Sequence, residues 1–235
     1  AVGYYAGQAM STGVENVLIG GFAGDSMTSS ARNVSIGYEA LEAETIRGRA
    51  VAIGYRALKA QTSAGADTYN VAIGYDAGVS VTTGINNTLV GGLAGDALTT
   101  GSYNVALGYE ALSGEDTGTR SIAIGYYALR AQNYNGEAFN VAVGHNAGSS
   151  ITSGIKNTII GGLAGDALVE GSENIAIGYE ALSAEDGHGK NVAIGNEALK
   201  VQNANADAYN VALGYNAGKA ISTGVNNVFI GGLVA

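Results

Sequence analysis

The stretch Asn70-Val71-Ala72-Ile73-Gly74-Tyr75 decides the fold, because near-copies of it recur along the whole chain. Val71 and Ile73 are β-branched and alternate with Ala72, which predicts a short β-strand whose two branched side chains share one face. A glycine follows every copy. The spacing of these glycines is 17 residues, except for steps of 20, 19 and 19, so they mark fourteen coils. This glycine column comprises Gly3, Gly20, Gly37, Gly54, Gly74, Gly91, Gly108, Gly125, Gly144, Gly161, Gly178, Gly195, Gly214 and Gly231.

An asparagine column accompanies the strands. The fourth residue before the glycine is asparagine in eleven of thirteen coils, with Ala50 and Ser121 as the exceptions. We interpret this column as a ladder of stacked side-chain amides, as in cross-β structures. The alternative is a turn residue that tolerates left-handed backbone. The ladder comprises Asn16, Asn33, Asn70, Asn87, Asn104, Asn140, Asn157, Asn174, Asn191, Asn210 and Asn227.

A single coil of this kind cannot be stable alone. Ordering ~17 residues costs on the order of 17–34 kcal/mol of backbone entropy, and burial of the apolar side chains returns about 5–8 kcal/mol. Stacking on neighbouring coils closes that gap. The sequence therefore predicts an all-β protein, a parallel β-solenoid in which residues 1–235 form one continuous domain. Helical coils are the competing interpretation, but runs such as Glu197–Lys200 are too short. Because the chain begins in mid-repeat, we expect a fragment of a longer repetitive chain.

The coils also repeat in groups of four, 71 or 70 residues long, which we call the super-repeat. In one coil of each group, the residue two before the glycine is large and the residue after the glycine is a second glycine. In the other coils, the residue two before the glycine is mostly alanine and the residue after the glycine is mostly tyrosine. We infer that these two positions border a shared volume. The large residues are Leu18, Leu89, Ile159 and Phe229.

The longer steps create an inserted loop of polar residues in each super-repeat, before Gly74, Gly144 and Gly214. Three interpretations remain open: a corner bulge whose aromatic residue caps the core, a lateral contact between chains, or a rim that contacts a receptor or glycan. The aromatic residues of these candidate contact loops are Tyr69, Tyr134, Phe139 and Tyr209.

The sequence predicts no enzyme: no catalytic, cofactor-binding or metal-binding residues emerge from it. His145 takes the place of a column tyrosine, and His188 lies between two glycines in a turn. The pair Glu185-Asp186 has the character of a solvated face, and a weak surface cation site is the lesser alternative. Asp96 follows a glycine-rich phrase that lacks the spacing of calcium-binding repeats, so we interpret it as a turn residue.

Charge and hydropathy limit the partners. The net charge of −9 and the lack of a basic stripe argue against nucleic acid. No apolar run approaches the ~18 residues of a membrane-spanning helix, so we expect no membrane insertion by this segment. The chain contains no cysteine, which excludes disulfides and thiolate metal sites.

The phrase Asn-Val-Ala-Ile-Gly-Tyr-x-Ala resembles the head repeats of trimeric autotransporter adhesins, and also repeats of phage tail fibres and bacterial surface fibres. Val192 to Ala198 is one example of the match, which covers essentially the whole chain. The resemblance implies a left-handed parallel β-roll, commonly assembled as a homotrimer. It also implies a place outside the cell, on a cell or virion surface.

We therefore expect a structural extracellular fibre or filament segment, a stiff rod or spacer whose partner is itself, as a homotrimer or a polymeric filament. One alternative is an adhesin head whose surface binds a host receptor, glycan or matrix. The other is a phage tail-fibre shaft.

Overall fold

The computed structural model describes residues 1–63 and 65–233. The chain divides into two compact units, Ala1–Thr119 and Arg120–Ala235. Each unit is a parallel β-solenoid, so the predicted all-β class and coil architecture are confirmed. A single continuous solenoid over residues 1–235 stays a prediction.

Within each unit, every strand is three residues long and pairs in parallel with the strand of the next coil, so that equivalent residues lie side by side. Val71 pairs with Thr88, and Ile175 pairs with Val192. The first coil, that of Gly3, contributes a single bridge from Val2 to Ile19. The strands of the first unit are β1 (Val17–Ile19), β2 (Val34–Ile36), β3 (Val51–Ile53), β4 (Val71–Ile73), β5 (Thr88–Val90) and β6 (Val105–Leu107). Those of the second are β7 (Ile122–Ile124), β8 (Val141–Val143), β9 (Thr158–Ile160), β10 (Ile175–Ile177), β11 (Val192–Ile194), β12 (Val211–Leu213) and β13 (Val228–Ile230).

The two faces of these strands differ in a way that the sequence did not reveal. The middle residue, such as Ala72 in β4 or Ala176 in β10, is fully buried. The branched residues on either side of it are half-buried or exposed. The predicted common face of the valine and isoleucine columns therefore points outward, and the solenoid interior is built on alanine. We call this outward row the sheet face.

The glycine column marks a close approach of backbones. Its φ angles in the thirteen later coils lie between +126° and +145°, a region that residues with a Cβ rarely adopt. A Cβ on Gly91 would lie 2.4 Å from the carbonyl oxygen of Gly108, and one on Gly161 would lie 2.4 Å from that of Gly178. Glycine is therefore required both by the backbone conformation and by the neighbouring coil.

The volume filled by the large residues is not the one that the sequence suggested. Leu89 is fully buried, whereas the tyrosine of the preceding coil, Tyr75, is 57% exposed, so the two do not share a space. The Leu89 side chain instead fills the space over two inward glycines. A Cβ on Gly78 would lie 2.6 Å from Cδ1 of Leu89, and one on Gly95 would lie 2.9 Å from its Cδ2. Gly78 and Gly95 each lie four residues after a column glycine. In the other two coils of each super-repeat this inner corner position is leucine, as at Leu112.

The rest of each coil consists of turns that bond to the next coil. The N–H of Leu58 donates to the carbonyl of Ala77, and that of Gly95 donates to the carbonyl of Ala111. Residues 197–200 lie in such a turn, so the helical interpretation is wrong. Across the described part of the chain, no helix has the length and apolar character needed to cross a bilayer.

Candidate functional site

The asparagine column lies mostly inside each unit, and most of its amides bond to protein at both ends, although Nδ2 of Asn191 has no partner. Asn157 accepts the N–H of Asn174 on its Oδ1 at 2.9 Å and donates from Nδ2 to the carbonyl of Gly171 at 2.8 Å. Asn87 makes the same two contacts one super-repeat earlier. Direct amide-to-amide bonds occur at Asn33 and Asn227. The column thus joins successive coils and offers little to an outside ligand.

Replacing Asn157 with alanine is expected to lower the free energy of unfolding by about 2 kcal/mol, because the buried N–H of Asn174 loses its acceptor. Lys156→Ala is the matched control on the same corner, where the side chain is 54% exposed, and it should change stability by less than about 0.5 kcal/mol. Urea unfolding measures both values. Faster amide exchange at Asn174 in the Asn157 variant locates the loss, and equal stabilities of the two variants would contradict the role of the ladder.

A buried polar column was not anticipated from the sequence. Seven residues after each glycine, two coils of the super-repeat carry apolar residues, the third carries glutamate and the fourth glutamine. The glutamates are Glu44, Glu115 and Glu185, the glutamines are Gln61, Gln132 and Gln202, and all six are fully buried. The recurrence of one glutamate and one glutamine every 70 or 71 residues, in a column whose other members are apolar, was the signal that could have revealed them.

The buried glutamates have different surroundings. Glu44 accepts from Gln61 Nε2 at 3.2 Å and from Ser63 Oγ at 2.7 Å. Glu185 accepts the N–H of His188 at 3.3 Å, while its second oxygen has no partner. Burial raises the pKa of the Glu185 carboxyl. Burial likewise raises the pKa of Asp96 and of its super-repeat equivalent Asp166.

The aromatic residues of the inserted loops are held by charges of their own chain. The Arg49 guanidinium lies 5.5 Å from the centre of the Tyr69 ring and 3.0 Å from the Asp67 carboxylate. Lys190 repeats the arrangement over Tyr209, at 5.3 Å, and its bond to Asp207 lowers the pKa of that carboxyl.

In the middle loop, Arg120 lies over the Phe139 ring at 5.6 Å and contacts Glu137 at 3.1 Å. The fourth predicted loop residue, Tyr134, is half-buried and lies against Gly136. These contacts favour the corner interpretation of the loops. The aromatic rings remain about half exposed, at 47% for Tyr69 and 42% for Phe139.

The outer surface beside the sheet face carries a stacked aromatic column. Tyr38, Tyr55 and Tyr75 lie in successive coils, with ring centres 5.7 and 5.3 Å apart and nearly parallel planes. His145 occupies the same position and stacks on Tyr126 at 5.2 Å. The stacked rings cover one another's faces, so their edges and hydroxyl groups meet solvent.

The sheet face is apolar, with few exceptions, in every described strand. Its columns hold valine, isoleucine, leucine and two threonines (Thr88 and Thr158), and no charged residue. Side chains such as Ile73, Ile122 and Ile160 are 37–39% exposed within their stacks. Parallel sheets are normally covered on both faces, and large exposed apolar patches mark contact sites.

No family model, curated protein or solved structure matches this chain. The contacts of its own residues therefore carry the functional argument.

Proposed function

We propose that this chain is a structural segment of an extracellular fibre or filament, and that it associates with further copies of itself through the sheet face. The observation that carries the proposal is the outward row of branched side chains, which runs along the strands of each unit without a charge. A sheet of this kind gains stability when its second face is covered, because each half-exposed valine or isoleucine then loses contact with water.

A second copy of the chain is the partner that fits this face best. Its coils have the same spacing, so its branched columns can interdigitate with those of the first copy over many strands. The acidic side chains that give the net charge of −9 lie elsewhere, so two like-charged copies can meet at the sheet face without juxtaposed charges. The resemblance to adhesin heads and fibre repeats supports self-association, a homotrimer, a left-handed roll and an extracellular place.

Four threonine substitutions on β10 and β11, at Ile175, Ile177, Val192 and Ile194, test the proposal. Threonine keeps the β-branched shape and already occupies the column of Ile175 and Val192, at Thr158. Sedimentation velocity should show an oligomer for the native chain and a monomer for the variant, since the apolar contact is weakened. Circular dichroism should show that both are folded.

A loop variant with Phe139→Ser and Tyr209→Ser is the matched control, and it should keep the native oligomer. A native chain that is monomeric at high micromolar concentration would contradict self-association. If the loop variant dissociates and the sheet-face variant does not, the copies meet through the inserted loops instead.

An adhesin function is the second candidate, because the loop aromatics recur once per super-repeat and keep about half of their surface exposed. Binding of native chain to host-cell surfaces or a glycan array, lost in the loop variant and kept in the sheet-face variant, would favour it. A tail-fibre shaft would share the structural role of the first proposal.

A further inference from the structure

The corner at residues 185–188 brings together three groups of the kind that bind metals. Glu185, Asp186 and His188 each present one ligand atom, and these atoms lie within 4.8 Å of one another. Nδ1 of His188 is 3.9 Å from Oε1 of Glu185. Glu185 reaches the corner from the interior, Asp186 is exposed and His188 is intermediate. The Glu185 carboxylate is thus fixed by packing and Asp186 stands at the surface, whereas the His188 side chain is partly exposed with its Nδ1 shielded from solvent.

Two atoms of this corner are buried without a partner. Oε2 of Glu185 and Nδ1 of His188 are both shielded from solvent and make no hydrogen bond. Glu185 is fully buried, and a buried carboxylate oxygen is normally bonded to a donor or to a cation. The equivalent oxygen of Glu44 receives such a bond from Gln61, but Gln202 Nε2 is itself without a partner. The Glu185 carboxylate interacts with the backbone N–H groups of His188 and Ala204, and its Oε2 remains without a hydrogen bond.

The preceding super-repeat supplies a comparison within the same chain. Its corner reads Glu115-Asp116-Thr117-Gly118, 70 residues earlier. There Glu115 accepts the N–H of Gly118 at 2.7 Å, and Thr99 donates to the Asp116 carboxylate. A Cβ on Gly118 would lie 2.5 Å from the carboxylate oxygens of Glu115.

Two of the differences between the later corner and that arrangement bear directly on the ligand atoms. His188 stands in place of Gly118, and Val169 stands in place of Thr99. Valine cannot donate a hydrogen bond, so the Asp186 carboxylate loses the partner that Asp116 has. The histidine side chain cannot coexist with a carboxylate in the Glu115 position, and it adds an imidazole. Both changes therefore leave ligand atoms unengaged at one corner of one super-repeat.

We propose that Glu185, Asp186 and His188 bind one divalent transition-metal ion of the Zn²⁺ class. Imidazole with two carboxylates suits Zn²⁺ and Co²⁺, whereas Ca²⁺ and Mg²⁺ prefer oxygen ligands alone. Ligand bonds of about 2.1 Å in tetrahedral geometry place ligand atoms about 3.4 Å apart. The ligand atoms, which lie within 4.8 Å of one another, therefore need to approach by up to about 1.4 Å, which rotations of the Asp186 and His188 side chains supply. Three protein ligands leave the fourth position to water.

This site goes beyond the fibre function and does not depend on it. The chain has two histidines and no cysteine, so an imidazole-dependent site has only His145 as an alternative. That fact makes the control simple: His145→Tyr restores the residue type common in its column, and His188→Gly restores the residue found at Gly118.

Titration of ZnCl₂ into the metal-stripped chain, without an affinity tag, tests the proposal by calorimetry. We expect one ion per chain with a Kd on the order of micromolar. The Kd should rise at least tenfold in His188→Gly and in Glu185→Gln, and it should be unchanged in His145→Tyr. Shifts of the His188 imidazole resonances on adding Zn²⁺ provide a second readout. Asp186→Asn changes an exposed residue, so it keeps the test valid if a variant of the buried glutamate misfolds.

Four outcomes would overturn the site. Unchanged Zn²⁺ affinity in His188→Gly would assign binding to surface carboxylates, and a loss in His145→Tyr would place it elsewhere. A folded native chain that binds no Zn²⁺ at millimolar concentration would mean that water satisfies Glu185. Equal affinity for Ca²⁺ would show that the imidazole takes no part.

Discussion

Replacing Gly161 with alanine is expected to lower the free energy of unfolding by about 4 kcal/mol, an unusually large effect for a single methyl group. The φ angle of Gly161 is +135°, a conformation that is strained for alanine. The added Cβ would also lie 2.4 Å from the carbonyl oxygen of Gly178 and 2.6 Å from its carbon. Both atoms belong to backbone that is hydrogen-bonded between coils, so neither can move aside cheaply.

Gly162→Ala is the control, one residue further along the same turn. Its Cβ meets a single atom, Cδ2 of Tyr179, at the ordinary contact distance of 3.7 Å, and its backbone is not left-handed. Its effect should stay below about 1 kcal/mol. Urea and thermal unfolding of both variants measure the difference. Similar losses in the two would mean that the glycine column is not set by the approach of neighbouring coils.

The sequence was sufficient to predict the coil, because the glycine column and the Val-x-Ile phrase report local requirements that recur without change. It was insufficient to predict which strand face is buried. In Val71-Ala72-Ile73 both faces are apolar, so alternation predicts two faces without telling which one points inward. Hydrophobicity favours burying valine and isoleucine, but the narrow interior of the coil takes the smaller Ala72 and leaves the branched pair outside.

Features that depend on contacts between coils were harder to predict. Tyrosine and the large strand residue exclude one another along the sequence, which suggested a shared volume. The structure shows that Leu89 is complementary to glycines at the inner corner, and that tyrosine belongs to the outer surface. The large strand residue and the tyrosine therefore never occur in the same coil because both positions vary with the four-coil super-repeat, and not because their side chains compete for space. His188 was similarly unremarkable as a turn residue until the fold placed it beside Glu185.

Leu89→Ala should lower the free energy of unfolding by about 3 kcal/mol, because the leucine is fully buried and leaves a cavity over Gly78 and Gly95. Val90→Ala is the control on the sheet face one residue later, and it should cost about 1 kcal/mol or less, since Val90 is half-exposed. Equal effects of the two substitutions would contradict the assignment of the inner and outer faces.

The combination Leu89→Ala with Gly95→Leu tests how the super-repeat fills its core. It reproduces two inner positions of the next coil of the chain, which has Ala106 on the strand and Leu112 at the corner, and Leu112 has the same φ of +56° as Gly95. Gly95→Leu alone should cost about 2 kcal/mol, since its Cβ would lie 2.8 Å from Cδ1 of Leu98 and 2.9 Å from Cδ2 of Leu89. The double variant should be more stable than the sum of the single losses by about 2 kcal/mol, because the corner leucine fills the volume that Leu89 vacates. Additive losses in this double-mutant cycle would show that the two leucine positions do not share one space.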